Sequence, residues 1–216
     1  MQIDWNIVSS VIAMMIAVIS LIFSGVQIYL SNKQCLFDRR LKVYMLVQGL
    51  MDLCRDYLDG ILTERNNGPE PSVDTMFANL TNNSYLESMA NAIEHPLQSL
   101  FQQDFLRKRE ELRKMAMECE LIFKGKEAGV YGCFVRTYEN TLVAMYRYKI
   151  VIDKMEETNN KHRMTEEALV NICGEEQVRH KLYDALEALK TAYDAAEQEE
   201  VERKIRKQIT LKFWFM

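Results

Sequence analysis

Between Asp4 and Lys33 the chain carries no Asp, Glu, Lys, Arg or His, and the heart of this stretch, Ile7 to Leu30, is almost wholly apolar. Few folds accommodate such a run. A helix of this length spans roughly 30 Å or slightly more, which matches the hydrocarbon core of a bilayer. A core helix of a soluble bundle usually keeps a polar stripe. Here only Ser9, Ser10, Ser20, Ser24 and Gln27 interrupt the run, and serine hydroxyls are tolerated in lipid because they bond back to their own helix. A secretory signal would open on a basic segment, whereas this chain opens Met1-Gln2-Ile3-Asp4. The run therefore predicts a transmembrane anchor over 1–32.

Charge sets the expected orientation. Lys33, Arg39, Arg40 and Lys42 follow the run, so the positive-inside bias places the C-terminal bulk in the cytoplasm and the N-terminus outside. Trp5 and Tyr29 stand at the two ends, where amphipathic rings favour the headgroup level; with Lys33, Arg39, Arg40 and Trp214 they are the candidate interfacial anchors. Ser9, Ala13, Ala17, Ser20 and Ser24 recur at spacings of four and three, a face narrow enough for a second helix to approach closely. The same small residues also suit a helix that meets only lipid, so association through this face stays an expectation.

The remainder is long enough for one domain with a real core. Three prolines and eight glycines leave few interruptions in the whole chain, and apolar residues recur at helical spacing. The expected fold is all-α: the span continues into a cytoplasmic antiparallel helical bundle over 33–208, closed by an apolar tail over 209–216. A net charge of −4 argues against nucleic acid as a partner, because a duplex surface needs a concentrated basic face. Five scattered cysteines without a CxxC pair read as small buried hydrophobes in a reducing compartment.

In chain order, Phe37, Leu41, Tyr44, Val47, Met51, Cys54, Leu58 and Ile61 form one stripe, widened by Leu46, Leu50, Leu53 and Tyr57. A helix apolar on two sides needs several partners, which predicts it as the central helix. Breakers between Thr63 and Ser72, among them Asn66-Asn67-Gly68-Pro69 and Pro71, end it. A short helix within Val73 to Ile93, broken near Thr81 to Ser84, follows. Pro96 suits the first turn of the next helix, whose seam is Leu97, Phe101, Phe105, Leu112, Met115, Cys119 and Ile122, with a charged outer band over Arg107 to Lys114. Gly125 and Gly129 bracket a turn before a helix with Tyr131, Phe134, Tyr138, Leu142, Met145, Ile152 and Met155 at near-heptad spacing, an aromatic row that suits core packing better than a ligand pocket. A final helix capped by Thr165 runs nearly to the end. It carries coiled-coil spacing over Leu182, Leu186, Leu189, Tyr193 and Ala196, and acid-to-base pairs Glu199 to Arg203, Glu200 to Lys204 and Glu202 to Arg206. The tail, with Phe213, Trp214 and Phe215, either docks on the bundle or dips into the inner-leaflet interface.

Catalytic constellations are absent from the sequence. No Glu-x-x-His or His-Glu-x-x-His occurs, and no phosphate-cradling glycine loop. His162 with Glu166 and Glu176 with His180 are each four apart, a spacing that more often makes a surface pair than a metal site. We therefore expect no catalytic residue, no metal and no cofactor. Leu36-Phe37-Asp38-Arg39-Arg40-Leu41-Lys42-Val43-Tyr44 after the span, and Phe105 to Glu111 leading to Leu121-Ile122-Phe123, carry a resemblance. The chain resembles uncharacterised bacterial single-span membrane proteins whose soluble helical part begins with a similar Phe-acid-x-Arg-x-x-x-Tyr segment. The resemblance implies a bacterial inner membrane and a helical cytoplasmic domain, and carries over no catalytic residue. Together these readings predict a membrane-anchored helical scaffold or interaction protein that associates with itself or with another membrane protein. The alternative is a membrane-acting effector, of antiphage or toxin type, that perturbs the bilayer on oligomerisation.

Overall fold

The computed structural model describes residues 5–67 and 71–210, and among them no strand occurs. One helix dominates the first third. α1, Trp5–Leu53, is continuous over 49 residues, about 73 Å at ~1.5 Å per residue. It passes through one wide π-helical turn, Cys54–Leu58, into α2, Asp59–Asn67. The helix therefore persists beyond Thr63, where breaker residues were expected to have ended it. Of its buried positions, Val47, Leu50, Met51, Leu53, Cys54, Leu58 and Ile61 follow the predicted stripe and its second row; Val43 is buried although outside both, and Leu41, expected in the stripe, is exposed.

α3, Val73–Leu80, starts where Ser72 accepts the Thr75 amide at 3.2 Å, a side-chain cap on an otherwise orphan donor. It buries Val73, Met76, Phe77 and Leu80 and stops at Thr81, as the break near Thr81 to Ser84 predicted. α4 is a single turn, Glu87–Ala90. α5 spans Ser99–Ile122, so Pro96 lies in the preceding turn rather than in the first helical turn. Leu97 is correspondingly exposed and not part of the seam, whereas Phe105, Leu112, Met115, Cys119 and Ile122 are buried.

α6, Lys126–His162, is the hub, and this corrects the expectation that the juxtamembrane helix is central. α5 and α8 flank α6 along its length, with α3, α9 and the bundle part of α1 completing the packing. Tyr131, Phe134 and Tyr138 on α6 are among the largest fully buried side chains, which places the predicted aromatic row in the core. Gly125 takes φ +89° immediately before α6, but Gly129 is inside the helix. Gly132 marks the close approach of α6 to α5: a Cβ there would stand 3.0 Å from the Ala116 carbonyl oxygen.

The expected single final helix is three. α7, Glu166–Cys173, meets α8, Glu175–Glu197, at Gly174, whose φ of +66° lies in the left-handed region that glycine enters without a Cβ clash. α9, Glu199–Ile209, follows a break at Gln198. Thr165 occupies the cap position of α7 but its hydroxyl makes no cap hydrogen bond. The heptad positions Leu182, Leu186, Leu189, Tyr193 and Ala196 are all buried, and the seam resumes after the break at Val201, Ile205 and Ile209. Ile209 thus belongs to the bundle rather than to the tail; the expected docking or insertion of the tail concerns 211–216, Trp214 included, which lie outside the described residues. α8 runs antiparallel to α6, since Phe134 meets Tyr193 with the rings tilted, Thr141 donates to the Ala185 carbonyl at 3.1 Å and Tyr148 donates to Glu175 at 2.7 Å. The fold is all-α, one long apolar helix leading into a helical domain.

Candidate functional site

Every residue from Trp5 to Asn32 is exposed except Val8, which is half-buried. No part of the described domain covers this half of α1. An 18-residue window within it has a mean hydropathy of 2.5, and the helix is long and apolar enough to cross a membrane. Ser9, Ala13, Ala17, Ser20 and Ser24 fall within an arc of about 80° at ~100° per residue, so the backbone makes them one face. Two of its hydroxyls are satisfied internally: Ser9 donates to the Asn6 carbonyl at 3.1 Å and Ser24 to the Ser20 carbonyl at 2.9 Å. That leaves a smooth face with no orphan donor on either side chain. Trp5 and Tyr29 are both exposed, about 36 Å apart along the axis at ~1.5 Å per residue.

Where α1 enters the bundle, the C-terminal ends of two helices converge on Arg40. Its Nε donates to the Ile122 carbonyl at 2.6 Å and its Nη1 to the Gln208 carbonyl at 3.0 Å, so one guanidinium caps the C-terminal turns of both α5 and α9. Those carbonyls have no further turn to bond to, and a cation there also meets the negative end of each helix dipole. Partial burial lowers the Arg40 pKa from the ordinary arginine value. Beside it Arg39 pairs with Glu118 at 2.7 Å, and the hydrogen bond it donates to that carboxylate raises the Arg39 pKa. Gln208 then clamps the α5 to α6 turn: its Oε1 accepts from the Lys124 amide at 2.7 Å and its Nε2 donates to the Lys124 carbonyl at 2.9 Å. Lys204 reaches Glu127 at 2.6 Å, and that hydrogen bond lowers the Glu127 pKa. Arg39 and Arg40, predicted as interfacial anchors, therefore also tie the helix to the bundle. Lys33, half-buried, is engaged as well.

Arg40→Ala removes the donor that both carbonyls share and should cost at least about 1.5 to 3 kcal/mol, the worth of one hydrogen bond from a charged group. Arg40→Lys should recover only part of this, since a single ammonium cannot serve two carbonyls in a fixed fork. Equilibrium unfolding of the full chain measures both; an Arg40→Ala chain as stable as wild type would remove the double-cap role.

Sequence reasoning missed Glu139. Its side chain is 2% exposed, and Arg109 Nε holds it at 2.5 Å while Arg113 Nε stands at 3.3 Å. The clue was present: Glu139 lies four beyond Val135 and three before Leu142, on the seam of α6. Its partners come from the band of α5 expected to be wholly outward, and only the packing of α5 on α6 brings them together. Two grooves lie nearby. One of about 450 Å³, between α5, α6 and α8, includes Arg109, Arg147 and Lys181 over Val143, Val151 and Val178. The other, about 570 Å³, is lined by Tyr148, Ile152, Met155 and the buried Glu175, so the lower end of the aromatic row faces a groove after all.

The histidines His95, His162 and His180 are exposed and lie on different elements. Glu176 is exposed near His180; no ion pair joins them. Among the described residues no group of three or more His, Cys, Asp or Glu converges as a metal site would require. Only Cys54 and Cys119 are buried, so the expectation of five buried cysteines is corrected: Cys35 and Cys133 are exposed and Cys173 intermediate. Burial raises the Cys54 thiol and pushes Cys119 up to about 12, far from a reactive thiolate. No family model, curated protein or solved structure matches the chain.

Proposed function

We propose that the chain is a membrane-anchored helical scaffold or interaction protein, without catalytic activity, that associates with itself through its span. The observation that carries this reading is the exposed apolar half of α1, rigidly continuous with a packed domain. In water that half would present an apolar rod far larger than the patches soluble monomers tolerate. Lipid is its natural solvent. In the proposed topology the span crosses a bacterial inner membrane once, with the N-terminus outside and the bundle in the cytoplasm; the cations after the span and the resemblance to bacterial single-span proteins support that placement.

Self-association rests on the Ser9, Ala13, Ala17, Ser20 and Ser24 face, because helices in lipid associate by close packing of small residues. Ala13→Leu with Ala17→Leu fills that face and makes the helix more apolar, so its preference for lipid is kept. Cross-linking of the full chain in bilayers should show a dimer or larger species in the wild type, reduced at least about fivefold in the double variant. A strictly monomeric wild type would end the self-association reading, and an unchanged double variant would move the contact elsewhere.

A further inference from the structure

Arg39, Arg40 and Lys42 alone are too sparse along the sequence for a lipid-recognising cluster. The fold supplies the missing density. α5 and α9 both run toward the span, and α6 runs away from it, so the α5 to α6 turn and the end of α9 meet α1 at Arg40. Lys124 and Lys126, and Lys207 about 80 residues further on, arrive at one end of the bundle, all exposed. None of the three makes an ion pair among the described residues. The acids at this end are engaged elsewhere: Glu118 with Arg39, Glu120 with Arg136, Glu127 with Lys204 and Glu202 with Arg206. Among the described residues Asp38, exposed on the adjoining turn of α1, makes no ion pair. The Arg40 charge is spent on carbonyls and has no carboxylate opposite it. A chain of net charge −4 therefore turns a basic end toward its own anchor.

Distance makes that end relevant to lipid. From Leu30 to Arg40 the helix rises about 15 Å. The headgroup layer takes up roughly the first 5 to 8 Å of that rise. The gap left, about 7 to 10 Å, is comparable to the Debye length of ~8 Å at physiological salt, so the lysines lie within reach of the leaflet potential. Leu121, 82% exposed at the last turn of α5, adds an apolar side chain on the same end.

We propose that the collar of Lys124, Lys126 and Lys207 around Arg40 is a docking face for the anionic leaflet that surrounds the span. It rests on the membrane-anchor reading above, and it holds the bundle down on the bilayer rather than leaving it to pivot on α1. Lysine acylation footprinting of the full chain tests it, in discs of phosphatidylcholine and in discs with about a third phosphatidylglycerol. In the anionic disc Lys124, Lys126 and Lys207 should label at least about fivefold more slowly, while the exposed Lys154 and Lys181 label equally in both. High salt should erase the difference. Lys124→Glu with Lys126→Glu should abolish the protection of Lys207, with circular dichroism reporting that the bundle stays folded. Labelling that is independent of lipid charge overturns the inference. Slow labelling in both discs, which would mean a protein partner or second copy on this face, overturns it too. A chain that enters neither disc overturns the anchor reading and this inference together, so the two failures are distinguishable.

Discussion

Ile16→Asp combined with Ile19→Asp should move the full-length chain out of the membrane fraction that resists alkaline extraction. About a dozen Ile, Val, Leu and Phe residues in the span each contribute roughly 0.3 to 0.6 kcal/mol to insertion near the helix centre, some 4 to 7 kcal/mol together. Two central aspartates cost about 5 to 7 kcal/mol on the same scale, which cancels the gain. Both isoleucines are exposed and touch no part of the bundle, so the helical domain should keep its own unfolding transition. The fraction resisting extraction should fall from nearly all to under about half. A double variant extracted no more readily than wild type would show that something other than lipid holds the first helix.

The second large effect lies at the centre of the domain. Tyr138 is fully buried on α6, edge-on to Phe134 with ring centroids 6.0 Å apart, and its hydroxyl donates to the Leu80 carbonyl at 2.5 Å. Burial raises its pKa well above the ordinary tyrosine value, so the hydroxyl remains a donor throughout the neutral range. Tyr138→Ala removes the ring and leaves a cavity, at about 3 to 5 kcal/mol, and strands the Leu80 carbonyl besides. Against a typical total of about 5 to 15 kcal/mol, that is a large share of the domain's stability. Tyr138→Phe keeps the ring and loses only the hydrogen bond, about 1 to 2 kcal/mol. Denaturant unfolding of the full chain separates the two; equal losses would mean that the hydroxyl, and not the ring, secures α3 to α6.

Several elements were legible because local pattern and tertiary demand agree. The stripe from Val47 to Ile61 is buried as its spacing predicts, and the α3 break follows from Thr81, whose hydroxyl bonds back to the Phe77 carbonyl at 2.8 Å. The heptad positions of α8, read from spacing, are buried; that they face α6 came only with the fold. Two of the three acid-to-base pairs on α9 form, Glu200 with Lys204 at 2.9 Å and Glu202 with Arg206 at 2.7 Å; Glu199 and Arg203 make no ion pair among the described residues.

Other elements were misread because the signal was present but ambiguous. The α8 to α9 break lacks Gly and Pro. Its sign is the run Glu199, Glu200 and Glu202, which favours a new helix start through the dipole, with Gln198 accepting the Val201 amide at 2.9 Å. The same acids looked like the first half of four-apart pairs on an unbroken helix. In the candidate site, the span face and the flanking rings could be located from spacing alone, but the capping role of Arg40 could not. Its partners lie 82 and 168 residues away.

Helix content, the exposed apolar span and the buried stripes were properties of the chain's own order, because hydrogen bonding and hydropathy in a helix act over three or four residues. The choice of α6 as hub, the burial of Glu139 beneath Arg109 and Arg113, and the gathering of Lys124, Lys126 and Lys207 beside α1 were decided only by packing. Each depends on which helix faces meet, and residues that meet across helices carry no fixed separation in sequence for a periodic pattern to record.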